Sequence, residues 1–383
     1  MSSWNTILTE AIALRHQLHR QPELTWNERQ TAERIRCALD SLDIPWRACA
    51  KYGTVATLAE NTSGRHIALR ADMDALPITE QTNLEYQSEV DGCMHACGHD
   101  GHSAALWAMA SWLKLHENTL PGPVSLIFQP AEEGGHGARE MIADGALDGI
   151  DCIYGWHNWP AIPLGQAVCP DGTVMCGNGT FKVTVTGKGG HASQPEACRD
   201  PVIAAAAITL NLQQIISRRL APQSAAVVSV SSIVAPSAPT VTPEKALLEG
   251  SIRIAHPDLR EQINDLIQQI CYDTASTYGV QAAVEIIPRY EATINHTEPA
   301  LAFRQALGQT LGAKWCAQVA TPIMASEDFS YYLNAIPGAF ALIGIEENGE
   351  FCAPCHSPHY RFNDRVLPHV VRALCRLVGA PLP

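Results

Sequence analysis

The fold is decided by two neighbouring stretches, SAALWAMASWLKLH at residues 103–116 and VSLIFQ at residues 124–129. The first repeats its apolar residues at helical spacing, which predicts a helix capped by Ser103. The second is a short apolar run that stops at a proline, which is typical of a strand buried on both faces. We also expect strands at Thr54–Ala59 and His66–Arg70. Strands that alternate with helices in this way predict an α/β fold with a mostly parallel sheet.

The middle of the chain has a different order of elements, β-α-β-β-α-β, which is the split βαβ pattern of ferredoxin-like domains. We expect this block to form an inserted domain at residues 178–290, with residues 1–177 and 291–383 forming the other domain. Further helices are predicted at Trp4–Arg20 and Glu28–Leu42 of that other domain. The expected elements of the block are strands Thr180–Thr186, Ala225–Val234, Lys245–Ile254 and Ala282–Ile287, and helices Asp200–Arg218 and Asp258–Tyr278.

Composition and charge limit the class of protein. The 383 residues carry 39 acidic and 26 basic side chains, a net charge of −13, which argues against a nucleic-acid partner bound through its phosphates. The first residues, MSSWNTILTE, show no signal peptide, and the longest apolar run, within Val202–Leu212, is too short to span a bilayer. Thirteen cysteines without an export signal indicate free thiols in a reducing compartment. We therefore expect a soluble cytoplasmic protein with no membrane partner.

Two short motifs suggest other functions but lack the context that those functions need. Cys352–His356 spells C-x-x-C-H, although covalent haem attachment would require an exported protein. Residues 187–192, GKGGHA, match G-x-G-x-x-A, but Pro195 follows and the helical pattern begins only near Asp200. The sequence has neither a G-x-S-x-G elbow nor a P-loop. Serine-hydrolase, nucleotide-binding and haem functions are therefore disfavoured.

The densest chemical signal is HACGHDGH, from His95 to His102. The spacing of Cys97 and His99 would place both side chains on one side of an extended segment, where both reach one cation. The two glycines suit a backbone that turns tightly there. A metal ion would convert the cysteine to a thiolate ligand. We expect Cys97 and His99 to bind metal, and His95 and His102 to support them.

The second signal is QPAEEGG at residues 129–135, directly after the buried strand. An exposed acidic turn is one explanation of Glu132 and Glu133, since glutamates are mostly exposed. The other gives them separate roles, one as a metal ligand and one as a general base for a water molecule. Single histidines follow at His157 and His356, and each would on its own be a packing residue.

Taken together, the chain resembles the metal-dependent aminoacylase and carboxypeptidase-like amidohydrolases, and in particular the branch of hippurate hydrolases and indole-acetyl-amino-acid hydrolases. That resemblance implies a catalytic α/β domain interrupted by a lid and dimerisation domain. It is carried by LHRQPEL (18–24), LRADMDALP (69–77), HACGHDGH (95–102), QPAEEGG (129–135), HN (157–158), GKGGHASQP (187–195), MASEDFSYY (324–332), PGAFALIG (337–344) and HSPHYRFND (356–364).

The resemblance implies two divalent metal ions per subunit, of zinc, manganese, nickel or cobalt. Cys97 would be the bridging thiolate and Glu132 the general base. Where relatives have H-x-D, this chain has Arg70-Ala71-Asp72, so Asp72 would orient a ligand rather than accompany a ligating histidine. The remaining ligands implied are His99, Glu133, His157 and His356.

The resemblance also implies roles for residues outside the metal ligands. His191 would donate to the substrate carbonyl, in relatives often from the partner subunit, and Arg253 would bind the substrate carboxylate, although a plain surface arginine is the alternative. Thr240, in the expected loop 235–243, stands where the family often has Asn, which affects substrate contact or specificity. Cys355 stands where Leu is common, and its thiol would either compete for metal, respond to oxidation, or pack as a small apolar group.

We therefore expect a dinuclear metal-dependent amidohydrolase that cleaves N-acyl amino acids, with acetyl or aromatic acyl groups, to a carboxylate and a free amino acid. The expected assembly is a homodimer through the lid domain, with no nucleic-acid partner. Two alternatives remain at this point: a metallo-dipeptidase or carboxypeptidase on the same fold, and a non-catalytic binding protein. The preferred acyl group, the amino acid and the native metal are not specified by the sequence.

Overall fold

The computed structural model describes residues 3–383, so the first two residues of the expected 1–177 domain lie outside the described part. The chain divides into two compact units. The first unit contains the chain up to Val174 together with Thr293–Thr321 and Asp328–Pro383. The second unit contains Met175–Ala292 and Pro322–Glu327.

The regular elements are numbered along the chain. The α-helices of the described residues are α1 Trp4–Arg20, α2 Arg29–Asp40, α3 His99–Leu115, α4 Gly137–Ala143, α5 Pro201–Leu212, α6 Asp258–Thr277, α7 Thr297–Leu311, α8 Ser330–Ala335 and α9 Leu367–Val378. The strands are β1 Trp46–Cys49, β2 Gly53–Leu58, β3 Ile67–Asp72, β4 Val124–Gln129, β5 Cys152–Pro163, β6 Ala167–Val168, β7 Gly172–Met175, β8 Gly177–Thr186, β9 Gly190–His191, β10 Ala226–Val234, β11 Val241–Thr242, β12 Lys245–Ile254, β13 Gln281–Pro288, β14 Thr293–Asn295 and β15 Gly338–Glu346.

A seven-stranded sheet in the order β1-β2-β4-β3-β5-β15-β6 forms the centre of the first unit. The four central strands, β4, β3, β5 and β15, pair in parallel, and the edge strands pair antiparallel. Strand β4 is buried along its whole length, and buried side chains of α1, α3 and α9 join the same apolar core. The prediction of an α/β fold with a mostly parallel sheet is confirmed.

The start of α3 differs from its prediction. The helix begins at His99 rather than near Ser103, and Gly98 precedes it with a positive φ of 93°. A Cβ at Gly98 would lie 2.2 Å from Asn158 Oδ1, so both the backbone conformation and the space require glycine. Ser103 is therefore not a cap but lies inside the helix, where its hydroxyl donates to the carbonyl of Asp72 at 2.8 Å. The expected extended segment through Cys97 and His99 is wrong for the same reason, because His99 is helical.

Gly101 also differs from its expected place in a tight turn. It lies within α3, and a Cβ there would lie 2.2 Å from the ring of Phe362. Its small size therefore serves close packing rather than a backbone turn.

The second unit contains a four-stranded antiparallel sheet in the order β10-β12-β8-β13. Helices α5 and α6 pack on one face and close a separate apolar core. This is the ferredoxin-like arrangement that the element order predicts. Asp200 caps α5 by accepting from the Val202 N–H at 2.8 Å, and the helix ends at Leu212 before a π-helical turn at Ile215–Arg219.

The expected loop 235–243 contains a short strand. Val241–Thr242, as β11, pairs antiparallel with Gly190–His191, as β9. Its two residues give no alternating pattern in the sequence, so the pairing depends on tertiary contacts. None of the helices between residues 3 and 383 is long and apolar enough to cross a lipid bilayer.

Candidate metal centre

The ends of the central strands position the predicted metal ligands. Asp72 is the last residue of β3, and Glu132 and Glu133 follow β4 by three and four residues. His157 lies within β5, and Cys97 immediately precedes the glycine at the start of α3. In open α/β sheets, ligand sites form beyond the carboxyl ends of parallel strands, which is where these side chains meet.

Two groups of side chains that could hold a metal ion share one sulfur atom. The first group is Cys97, His99 and His157, and the second is Cys97, Glu133 and His356. Within each group the ligand atoms lie within 4.8 Å of one another. Thiolate, imidazole and carboxylate ligands suit zinc and its neighbours in the first transition series.

The orientation of single atoms fits cations at both places. His99 Nε2 and Glu133 Oε1 are buried and make no hydrogen bond among the described residues, although Glu133 Oε1 lies 3.1 Å from His356 Nε2. Buried polar atoms without hydrogen bonds are costly unless another group satisfies them. The chemistry of the donor set and these orphaned atoms therefore fit two divalent cations.

His157 is held in its neutral form. Its Nδ1 lies 2.6 Å from the carbonyl oxygen of Asn158, which fixes the proton on Nδ1. Its Nε2 lies 3.3 Å from Cys97 Sγ. Burial, with His102 as the next contribution, lowers the pKa of His157 well below its usual value. The Nε2 lone pair is thus available to a cation.

Asp74, which the sequence motifs did not single out, contacts His99 and the backbone of both glutamates. Its Oδ1 contacts His99 Nδ1 at 3.2 Å and accepts from the Glu132 N–H at 3.1 Å. Its Oδ2 accepts from the Glu133 N–H at 2.9 Å and from Thr25 Oγ1 at 2.8 Å. One carboxylate therefore orients a candidate ligand and fixes the turn that carries both glutamates. Its place two residues after Asp72 in LRADMDALP was the available signal.

Charges around the centre shift the protonation of its members. Burial would lower the pKa of His99, but Asp72, Asp74 and Glu133 outweigh burial and raise it to about 10. Burial would raise the pKa of Asp72, yet His99, Arg70 and His102 hold it well below its ordinary value. In the metal-free protein, therefore, the His99 imidazolium stabilises the carboxylates that surround it.

The surroundings of Cys97 favour its neutral thiol rather than the charged thiolate. Its contact with the Cys355 thiol, then burial and the nearby carboxylates Glu133 and Glu132, raise the pKa of Cys97 well above its ordinary value. Without a cation this sulfur is a protonated thiol. A divalent ion within bonding distance would convert it to a thiolate.

Comparison with known proteins assigns the family. The profile of Peptidase family M20/M25/M40 matches residues 68–380. The chain belongs to this family. It is 37% identical over 364 residues to IAA-amino acid hydrolase ILR1-like 2 of Arabidopsis thaliana, covering 94% of this chain and 82% of the relative. It is 36% identical over 364 residues to N-acetyl-L-cysteine deacetylase of Bacillus subtilis (95% and 86%) and 34% identical over 367 residues to hippurate hydrolase of Campylobacter jejuni (95% and 94%).

A solved structure agrees with this assignment. The YXEP protein of Bacillus subtilis, a dinuclear metal binding peptidase from the M20 family, superposes with a TM-score of 0.85 at 32% identity, and 98% of both chains is covered. The family resemblance stated from the sequence motifs is confirmed, and so is the fold class.

Asp72, the last residue of β3, is fully buried in this M20 protein. Its Oδ1 contacts His102 Nδ1 at 2.6 Å, and its Oδ2 accepts from Arg70 Nη1 at 2.6 Å. Arg70 is fully enclosed and also donates to Asp328 at 3.0 Å and to Gln129 at 2.8 Å. Both oxygens of Asp72 are thus engaged by protein groups. Although Asp72, His99 and His102 form a third possible metal group, its carboxylate is poorly placed to bind an ion.

The other two histidines of HACGHDGH have separate surroundings. His102 lies between Asp72 and Asn158, with Nε2 at 2.8 Å from Asn158 Oδ1. His95 is buried, and neither ring nitrogen has a hydrogen-bond partner among the described residues. Burial lowers the pKa of His95 to about 4, so its ring is neutral.

The remaining predicted site residues lie in the second unit. His191, in β9, is exposed, and its Nδ1 accepts from the Ser193 N–H at 3.2 Å. Because a backbone N–H only donates, this contact places the ring proton on Nε2. The carbonyl of Thr240 accepts from the Ala192 N–H at 2.9 Å, so Thr240 lies beside the His191 loop. Arg253, on β12, is half-buried, and its Nη1 donates to the Ile252 carbonyl at 3.2 Å.

Proposed function

We propose that this M20 family member is a dinuclear metal-dependent amidohydrolase that cleaves N-acyl amino acids to a carboxylate and a free amino acid. The observation that carries the proposal is the sharing of Cys97 by two groups of potential metal ligands, with Glu132 adjacent to a member of one group. The relatives support the substrate class, since they are named for N-acetyl-L-cysteine, hippurate and IAA-amino acid conjugates. All of these carry an acyl group on the nitrogen of an amino acid.

In this proposal, five side chains hold the two ions. Cys97 would contribute to both sets of ligands, because it is common to both groups. Two imidazoles would hold one ion together with Cys97, and a carboxylate and an imidazole would hold the other. The assigned ligands are Cys97, His99, His157, Glu133 and His356.

Glu132 is the proposed general base. When bound, the two ions supply Lewis-acid polarisation of the amide carbonyl and lower the pKa of a water molecule. The Glu132 carboxylate is 6% exposed and lies with His99 and Glu133 in a group whose ligand atoms are within 4.8 Å of one another. It would take a proton from the attacking water and return that proton to the leaving nitrogen. Its Oε1 accepts from the Asp328 N–H at 3.3 Å, which helps fix the orientation of the carboxylate.

The second unit supplies the proposed substrate contacts. With its proton on Nε2, His191 is suited to donate to the carbonyl oxygen as negative charge develops there. Arg253 offers the planar guanidinium that binds a carboxylate through two hydrogen bonds. Thr240, beside the His191 loop, would affect substrate contact through a hydroxyl where relatives often have an amide. The unit containing residues 178–290 would thus be a lid, and the remainder the catalytic domain.

Location and assembly complete the proposal. We propose a cytoplasmic homodimer formed through the lid domain. The thirteen cysteines are all free in the described structure, which suits a reducing compartment. A dimer would allow His191 of the partner subunit to complete a site.

Hydrolysis of a panel of N-acyl amino acids by metal-loaded protein tests the function. Acyl group and side chain should be varied separately, and unblocked dipeptides should be included to test the dipeptidase alternative. We expect release of free amino acid from acetyl or aromatic acyl substrates. Hydrolysis of dipeptides alone would favour the peptidase alternative, and binding without turnover would favour a non-catalytic protein.

The variant Glu132→Gln tests the role of the general base. We expect loss of at least about 99% of turnover, in line with the contribution of general-base catalysis, with metal stoichiometry unchanged. Elemental analysis of the same sample separates loss of the base from loss of metal. Near-normal kcat with full metal content would contradict the assignment.

A further inference from the structure

Cys355 lies on a segment that runs beside the proposed metal ligand Cys97. The His356 N–H donates to the Ala96 carbonyl at 2.8 Å, so the segment containing residues 355–356 runs beside the segment containing residues 96–97. Neighbouring residues of β5 lie beside both sulfur atoms, since His157 Nε2 is 3.3 Å from Cys97 Sγ and Asn158 Nδ2 is 3.9 Å from Cys355 Sγ. In agreement with this proximity, the Cys355 thiol raises the pKa of Cys97. Two segments that are far apart in the sequence thus bring two free cysteines near each other.

Cys355 lies near Cys97 but belongs to none of the groups of potential metal ligands among the described residues. Asn158 Nδ2 lies 3.9 Å from Cys355 Sγ and donates to Tyr360 Oη at 2.8 Å. Cys355 is half-buried, whereas Cys97 is 8% exposed. The ligand groups found among the described residues contain Cys97 but not Cys355. Of the three roles open to Cys355 from the sequence, this placement favours oxidation.

We propose that Cys97 and Cys355 form a reversible disulfide bond when metal is absent, and that this bond blocks metal loading. The inference rests on the proposed function in one respect, namely that Cys97 is a metal ligand. Sulfur atoms in a disulfide are about 2.0 Å apart, so oxidation would draw the two side chains together across the adjacent segments. A disulfide sulfur carries no thiolate charge and cannot bridge two cations.

The chemistry balances with a small-molecule disulfide as the oxidant. The more exposed Cys355 would attack the oxidant as a thiolate, forming a mixed disulfide and releasing one small thiol. Cys97 would then displace the second small thiol and form the internal bond. In total, the two cysteine thiols lose two electrons and two protons, and the oxidant becomes two thiols. A reducing thiol in excess reverses both steps.

Bound metal protects the pair. When both ions are in place, the Cys97 sulfur donates its electron pairs to them and is not free to attack a mixed disulfide. Oxidation therefore acts on newly made or metal-depleted protein. Metal loading of the protein would therefore depend on both the metal supply and the redox state of these two thiols.

The test is peptide mapping of the full-length protein after oxidation. Protein stripped with a chelator and protein loaded with zinc are each treated with oxidised glutathione, blocked with an alkylating agent and analysed by mass spectrometry. We expect a peptide cross-linked through Cys97 and Cys355 only in the stripped sample. Subsequent zinc uptake should fall by about tenfold or more, since loss of a ligand costs at least as much as loss of its supporting partner, and a reducing thiol should restore it.

Two variants make the result specific. Cys355→Ala should form no cross-link with Cys97 and should take up zinc after oxidation as before it. Cys352→Ala is the matched control, because Cys352 is an exposed thiol of the same segment, and it should behave as the wild type does. A cross-link between Cys352 and Cys355, equal loss of zinc uptake in Cys355→Ala, or a Cys97–Cys355 bond that leaves zinc uptake unchanged would each overturn the proposal. If reduced wild-type protein never binds zinc, the proposed function fails, and the peptide map still reports the disulfide independently.

Discussion

Replacement of Asp74 by asparagine should weaken both the fold and the metal centre. Asp74 is 1% exposed, and each of its oxygens contacts two partners. Oδ1 contacts His99 Nδ1 and accepts from the Glu132 N–H, and Oδ2 accepts from the Glu133 N–H and from Thr25 Oγ1. Asparagine has nearly the same shape but replaces one acceptor oxygen by an NH2 donor. Whichever way the amide turns, two partners lose their acceptor.

The magnitude follows from the number and type of these bonds. Burial would raise the pKa of Asp74, but its hydrogen bond from His99, the His99 charge and the Glu133 N–H hold that pKa below its ordinary value, which shows that they stabilise the carboxylate. A hydrogen bond to a charged group contributes about 1.5–3 kcal/mol, so two lost bonds should cost about 3–6 kcal/mol. Loss of the partner that orients His99 should also reduce metal affinity about 10- to 100-fold.

Two measurements separate these effects. Urea denaturation of the metal-free protein gives the free energy of unfolding, and titration with zinc gives the affinity. Asp364→Asn is a suitable control, because Asp364 pairs with Arg15 at 3.0 Å and lies in none of the candidate metal groups of the described residues. It should lower stability with little effect on zinc affinity. Wild-type zinc affinity in a destabilised Asp74→Asn protein would refute the argument that Asp74 orients His99.

Three further outcomes are expected. His191→Ala should impair turnover while metal content is retained. If subunits share sites, mixing the His191→Ala and Glu132→Gln proteins should restore partial activity. No recovery after confirmed subunit exchange would contradict a shared site. Burial opposes the His19 charge, but Asp100 and Glu80 outweigh burial and raise the pKa of His19 to about 9. Protonated His19 therefore stabilises the folded protein by about 3 kcal/mol below about pH 6.5, and this stabilisation is lost as pH rises through about 9. His19→Gln should flatten that part of the stability curve, and an unchanged curve would exclude the pair as its cause. Zinc at about 1,000 times its Kd should stabilise chelator-stripped protein by about 4 kcal/mol in thermal unfolding, and no shift in Tm would argue against a specific site.

Elements with strong local patterns were predicted closely from the sequence. The strands Val124–Gln129 and Lys245–Ile254 and the helix Trp4–Arg20 have the predicted bounds. Each has continuous burial or a regular alternation that only one type of element satisfies. The antiparallel order of the second unit followed from the sequence of elements, since few topologies connect them without crossing.

The start of α3 could not be located from the same kind of reasoning. Ser103 has the chemistry of a cap, but His99, Asp100 and His102 lie in the first turn of the helix. Polar residues in the first turn look like a loop when they are read locally. They are helical because Gly98 adopts a left-handed conformation and because buried partners from other segments satisfy them. Asp100, for example, contacts Arg15 at 3.1 Å and His19 at 2.9 Å.

The predicted ligands meet because the elements that carry them come together at one edge of the central sheet, whereas the groups that orient them were harder to find. Asp74 and Arg70 act through buried hydrogen bonds to residues that are distant in sequence. A hydrogen bond of this kind leaves no periodic pattern, and an isolated acid or arginine is usually exposed. The spacing of chemical groups along strands therefore identifies what could bind metal, and only the folded structure shows what holds those groups in place.

The charge balance of the centre explains why an arginine is suited to position 70. Arg70 pairs with Asp72 and Asp328, and all three side chains are fully buried. A buried carboxylate without such a partner would lose its charge or compete for the ions. The single positive charge of Arg70 offsets part of the negative charge of Asp72 and Asp328. In the proposed site, the anionic groups that would face two dications are then Cys97, Glu133 and Glu132. A neutral histidine at position 70 would offer a ligand but would remove that counter-charge, so Arg70 and the two carboxylates form one electrostatic arrangement.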